Sequence, residues 1–245
     1  MGVTTFCDYP PEAKKIDKVS DYLQPDIEKL IAKKPDLIIT SEENSQRREI
    51  EYLMRKGYKV LTYKTDTLLQ LRETFSTLGR DVGKSSNADD LLKNFDAQMN
   101  DLKMKVENLK KANPSWKPAK TLFMVGQHPL IVAGSGNLMN DVAPYLGLQN
   151  AVDESRLKYP NFSVEQVYAV APDYILNFAM GSEANETARK ESKRELEAMK
   201  GIPAIRNNRL YFWDIGALRA SPRLPAELLK LFEALQKSPS EGKSL

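Results

Sequence analysis

Two glutamates in this chain stand at matched positions of a doubled stretch. Residues 22–39 read YLQPDIEKLIAKKPDLII and residues 159–176 read YPNFSVEQVYAVAPDYIL. Laid over each other without a gap, they bring Glu28 onto Glu165, Tyr22 onto Tyr159, Ala32 onto Ala169, Pro35 onto Pro172 and Asp36 onto Asp173. Apolar positions coincide as well: Ile27 with Val164, Leu30 with Val167, Ile38 with Ile175 and Ile39 with Leu176. Glu28 and Glu165 each fall at the second position of a short helix. A carboxylate there complements the helix dipole by about 0.3–1 kcal/mol. A matched pair of exposed charges, one per copy, would equally suit docking onto basic sockets of a two-fold partner, where charge fixes register and speeds encounter. The residues alone leave both readings open.

The aromatic side chains suggest binding. Tyr22 and Tyr159 lie six residues before those glutamates, in the loops that lead into the helices. Tyr9 sits in the loop Asp8-Tyr9-Pro10-Pro11, and Trp213 ends a strand just before Asp214 and Arg219. In open α/β sheets ligands gather outside the carboxyl ends of strands. Aromatics on such loops suit a large, partly apolar ligand, with Arg219 for an anionic group; ordinary half-buried loop anchors are the plain alternative. His128 is the only histidine. Without a Cys or His cluster it makes a poor protein-built metal site, although it could cap a metal already held inside a ligand. Cys7, the only cysteine, has no sequence cue tying it to that histidine. No nucleophile elbow, Ser/His/Asp pattern or metal-hydrolase signature occurs, so an enzyme is not expected.

These residues must be carried by something of substance. The 245 residues allow one large domain or two lobes with real cores. A net charge of +3 with both signs interspersed gives no footprint for nucleic acid. A single cysteine excludes an internal disulfide, and no apolar run is long enough to span a bilayer. Met1–Tyr9 lacks the basic start and apolar run of a signal peptide.

Periodicity orders the chain into alternating helices and strands, the mark of an α/β fold with a mostly parallel sheet. Gly2–Phe6 is β-prone. Asp26 caps a helix of about two turns that Pro35 cannot continue, and Leu37–Thr40 follows as a strand. A helix over 45–56 stops at Gly57, a strand covers 58–63, and a helix covers 67–82. Asn87–Ala112 carries Leu92, Phe95, Met99, Leu102, Val106 and Leu109 in steps of 3, 4, 3, 4 and 3. That is one helix of about 25 residues, about 38 Å long, enough to run across two lobes; a dimeric coiled coil is the alternative. Thr121–Val125 is a strand, and Gly134-Ser135-Gly136 is a tight turn or an anion-holding turn ahead of a helix over 138–146. Ser163 and Gln166 form a capping box. A charged helix over 185–200, a strand over 210–213 and a last helix to about Gln236 follow, and 238–245 is a polar tail. We therefore expect lobes at 1–84 and 114–237, each with a central mostly parallel sheet flanked by helices, joined by one backbone helix at 85–113. Strand and helix precede Tyr159 in the second lobe, but only one strand precedes Tyr22. If the lobes are alike, the first lacks an opening strand–helix unit and the chain begins inside the fold.

Five segments together resemble a known family: VGVTTFCDYPPEAKKI, IEKLIAKKPDLII, the long helix, SVEQVYAVAPDYIL and LRASPR. They are similar to the substrate-binding proteins with a single helical backbone, the receptors of ABC importers for corrinoids, iron siderophores and haem. The segment DYPPEA favours the vitamin B12 branch. The resemblance covers about residues 2–236. It implies a two-lobed periplasmic receptor, without catalytic activity or cofactor, that binds a corrinoid between its lobes and delivers it to the transmembrane subunits of an importer as a monomer. The sister ligands, or an interaction module without transport, are the alternatives. By the same resemblance Glu28 and Glu165 match docking glutamates, and Tyr9, Tyr22, Tyr159 and Arg219 match cleft positions. Ser41, Ile131 and Ile215 stand where the family has a cleft tryptophan, phenylalanine and aspartate.

Overall fold

The computed structural model describes residues 1–21, 25–178 and 186–237. Its contacts divide the chain into two compact units, 1–65 and 66–245. The division therefore falls ahead of the expected lobe end at 84, because the helix over 68–81 and the long helix after it pack within the second unit.

The first unit begins with strand β1 (Val3–Thr4), a single 3-10 turn at Pro11–Lys15 and strand β2 (Lys18–Ser20), which lies parallel to β1. Helix α1 (Ile27–Ala32) follows, then β3 (Ile38–Ser41), α2 (Glu42–Ser45), α3 (Arg48–Arg55) and β4 (Val60–Tyr63), parallel to β3. The single helix expected over 45–56 is in fact two, broken at Gln46 and Arg47. Nor, among the described residues, is there one central sheet here. The four strands form two separate parallel pairs, and no ladder joins them among the described residues. Ile38, Ile50 and Leu53 form a small core on which Ile27, Leu30, Ile31, Tyr58 and Val60 lean from its edges.

The second unit holds α4 (Leu68–Asp81), α5 (Ser85–Ala112), β5 (Ala119–Gln127), β6 (Leu130–Val132), α6 (Leu138–Val142) and β7 (Leu148–Asn150). It continues with α7 (Val164–Val170), β8 (Tyr174–Asn177), α8 (Glu186–Glu197), α9 (Pro203–Arg206), β9 (Leu210–Phe212) and α10 (Leu224–Gln236). Its sheet runs β6-β5-β8-β9, with β7 on the same edge of β5 as β6. The nine-residue β5 makes this possible. Ala119–Thr121 pair in parallel with β7, Met124–Gln127 pair antiparallel with β6, and the other edge takes β8 in parallel.

Helices cover both faces of this sheet, so β5 reads as a continuous apolar run rather than an alternating one. Leu122 and Met124 face one way, into a cluster with Val167, Ile175, Leu196 and Ile202. Phe123 faces the other, into a larger cluster with Phe95, Met99, Leu146, Leu176 and Leu228. The apolar row of α5 supplies that second cluster: Phe95, Met99, Leu102 and Val106 are all buried in it. Phe95 meets Phe75 of α4 edge-on, with ring centroids 5.7 Å apart, and Gly79 lets α4 press so close to α5 that a Cβ would overlap that of Ala88. The coiled-coil alternative fails for this reason, because the seam it needs lies inside the chain's own core. Among the described residues, no helix is long and apolar enough to cross a membrane.

Candidate functional site

The matched glutamates are placed alike. Each is the second residue of its helix, exposed, within a turn that is capped locally. In α1, Asp26 accepts a hydrogen bond from the Lys29 amide at 3.0 Å. In α7, Ser163 accepts from the Gln166 amide at 3.3 Å while the Gln166 side chain accepts from the Ser163 amide at 2.7 Å, the expected capping box. The Ser163 hydroxyl, together with the glutamate's own backbone, holds the Glu165 carboxyl below its ordinary value. Both helices then leave through a left-handed residue that is not glycine: Lys34 at φ 45° and Ala171 at φ 47°, one residue before the matched prolines. From the capped first turn to the exit before proline, the two copies thus share a conformation.

Tyr9 is 58% exposed in a loop whose two ends are tied by one side chain. Lys18, on β2, donates to the Cys7 carbonyl at 3.2 Å and to the Ala13 carbonyl at 2.9 Å. Tyr159 is 49% exposed. Its segment runs along the outer edge of β6, where the Val132 amide donates to Pro160 O at 3.1 Å and the Phe162 amide donates to Leu130 O at 2.8 Å. The glycine turn serves this segment rather than an anion. The Gly134 amide donates to Lys158 O at 2.8 Å, and Leu157 O approaches Gly134 so closely that no Cβ would fit. Asn137, fully buried, donates from Nδ2 to the carbonyls of Gly134 and Lys158 at 3.0 and 2.9 Å, and its Oδ1 caps α6 through the Asn140 amide. The Lys158 ammonium pairs with Asp66 at 2.6 Å.

His128 and Trp213 follow the carboxyl ends of β5 and β9. The His128 ring is largely exposed and its Nε2 lies 3.1 Å from Glu195 Oε2. Glu195 also accepts from Gln127 Nε2 at 2.7 Å. Gln127 Oε1 in turn accepts from the Ser192 hydroxyl and, at 3.4 Å, from the amide of Asn177. This polar network ties the ends of β5 and β8 to α8, and sequence reasoning missed it. The hydrogen bonds named here join residues 50 to 68 apart, and no local pattern marks them. Trp213 is half-buried against the larger core cluster, its amide donating to Asn177 O at 3.0 Å. Arg219 is half-buried and closes a one-turn 3-10 helix at Ile215–Leu218. Tyr22 lies outside the described residues, as does the expected polar tail. Among the described residues, no group of three His, Cys, Asp or Glu is placed to hold a metal ion. Within the second unit, the exposed Tyr159 ring, the His128 imidazole and the Arg219 guanidinium are of types that stack on or pair with a ligand. They contain no nucleophile paired with a base.

The fold has known counterparts. The vitamin B12-binding protein BtuF of Vibrio cholerae superposes with a TM-score of 0.75 at 24% identity, over 97% of this chain and 89% of that one. A periplasmic heme-binding protein from Pseudomonas aeruginosa superposes with a TM-score of 0.82 at 23% identity, over 100% and 86%. In sequence, the chain is 30% identical over 239 residues to the vitamin B12-binding protein of Salmonella typhimurium, spanning 96% of this chain and 82% of that one. The model of the periplasmic binding protein family matches residues 1–215. The chain therefore belongs to the periplasmic binding protein family, whose members bind solutes and are not enzymes.

Proposed function

We propose that this chain is the receptor of an ABC importer and that its cargo is a corrinoid of the vitamin B12 class. The observation that carries the ligand is the 30% identity, over 96% of the chain, to a protein named for binding vitamin B12. Family membership implies an extracytoplasmic receptor for ligands of the B12, haem or siderophore kind. The corrinoid is cargo, not a cofactor. In this reading Tyr9, Tyr22 and Tyr159 stack on the ligand, His128 and Trp213 line its site at the carboxyl ends of strands, and Arg219 meets an anionic group. Glu28 and Glu165 dock onto arginines of the importer's membrane subunits. Their exposure supports this role, and so does the capping of each helix by another residue, Asp26 in one and Ser163 in the other. The receptor acts as a monomer, in keeping with an α5 whose apolar row is already covered.

Titration of the purified protein with cyanocobalamin tests the ligand. Saturable binding is expected, and none at concentrations on the order of tens of micromolar removes the corrinoid. Hemin and a ferric siderophore are the parallel arms. Docking is tested by changing Glu28 and Glu165 together to Ala in the protein's own cells. Uptake is expected to fail with ligand binding unchanged; surviving uptake would end the docking role.

A further inference from the structure

Resting on the reading of Tyr9 and Tyr159 as ligand-binding side chains, we infer that Lys18 and Asn137 are positioning residues for capture, each fixing the loop that presents one exposed tyrosine. The two devices are alike although their residues and surroundings differ. Lys18 carries the charge needed to serve two carbonyls at once, and charge-assisted bonds of this kind are stronger than neutral ones. Its targets, Cys7 and Ala13, bracket Tyr9 on both sides, so the ammonium closes the loop like a clasp. Asn137 spends both donors of its amide on Gly134 O and Lys158 O, and Lys158 is the residue before Tyr159. A buried amide used in this way is costly to leave unpaired, so that carbonyl is held in one place.

Neither residue belongs to the ligand set, and neither side chain is the group that would touch cargo. Their contribution is to order an exposed ring before the ligand arrives. Ordering a loop on binding costs affinity, and ordering it beforehand recovers that cost. A purely structural role would instead lower stability without caring whether the tyrosine is present.

The test is a pair of double-mutant cycles, Lys18→Met with Tyr9→Ala and Asn137→Asp with Tyr159→Ala, read as cyanocobalamin affinity by calorimetry. Each positioning variant alone is expected to weaken binding about fivefold, and the loss should vanish when the tyrosine is already gone. An equal loss with and without the tyrosine overturns the inference. Hydrogen exchange gives a readout that needs no ligand: amides of 7–13 should exchange faster in Lys18→Met and those of 155–161 faster in Asn137→Asp. Unchanged protection also overturns it. Should Asn137→Asp fail to fold, Lys18→Met, at a partly exposed position, carries the test alone. Wild-type protein that binds hemin but not cyanocobalamin overturns the corrinoid reading only, and the cycles are then read on hemin. Protein that binds neither overturns both.

Discussion

From their helix caps onward, the two copies of the doubled stretch share a backbone and differ in what they lean on. Both place a glutamate at the second helical position and both exit through a left-handed residue before proline. In the second copy, Val167 is 2% exposed and sits in a cluster under a five-stranded sheet. In the first copy, no residue of α1 is buried, and Ile27, Leu30 and Ile31 only lean on a core of Ile38, Ile50 and Leu53. Similar local instructions thus produce the same turn of chain, while its stability is set by the sheet available to receive it. Most helical stability comes from packing an apolar face rather than from propensity.

The largest effects should come from the cores themselves. Phe95→Ala, in the larger cluster, is expected to cost about 3–5 kcal/mol and Leu53→Ala, in the smaller, about 2–5 kcal/mol. Hydrogen exchange after Leu53→Ala should show residues 26–63 opening while β5 and β8 keep their protection. Loss of protection across both units would break the comparison. Next in size is the exit turn. Ala171→Gly relieves a left-handed alanine and is expected to raise stability by about 1 kcal/mol in denaturant melts, where loss instead of gain would show the turn to be unstrained. Ser163→Ala should cost about 1 kcal/mol by removing one half of the capping box.

The smallest effect separates the caps by chemistry. Hydrogen bonds to Lys29, first from its backbone amide and then from its side chain, hold the Asp26 carboxyl below its ordinary value. Its contribution to α1 is therefore present above the unfolded-state value and is lost as pH falls through the lowered folded one. The cap of α7 is a hydroxyl and an amide, neither of which titrates there. Between about pH 5 and about pH 3, amide protection at Lys29 should fall in wild type and hold in Asp26→Asn. A matching fall at Gln166 would have to come from Glu165.

Much of this was legible in the sequence because it is local. The repeat, the caps at Asp26 and Ser163, the stop after α1 and the apolar row of α5 each depend on residues within a few turns of one another. The same row could not reveal what covers it, because a 3-4 spacing suits a private core and a coiled coil alike. Strands β2, β6 and β7 went unread. Each is three residues long, and Lys18-Val19-Ser20 or Leu148-Gln149-Asn150 is too short and too polar to show alternation. The site divides in the same way. Exposed tyrosines on loops could be named in advance. The parts that hold them could not, since Lys18 reaches back to Cys7 and Asn137 reaches ahead to Lys158. Glu195 was invisible as the partner of His128 because α8 and β5 meet only once the sheet exists.

That sheet has one member on which the others wait. β5 is the common border of three ladders, to β6, β7 and β8, so none of the three can close until β5 is laid down. Assembly of the second unit has a bottleneck in sequence space: nine residues shared by three of the four ladders of its sheet. Conservative substitutions at Leu122 or Met124 should slow refolding nearly in proportion to the stability they remove, whereas those at the far side of the sheet, such as Leu210 in β9, should mainly hasten unfolding.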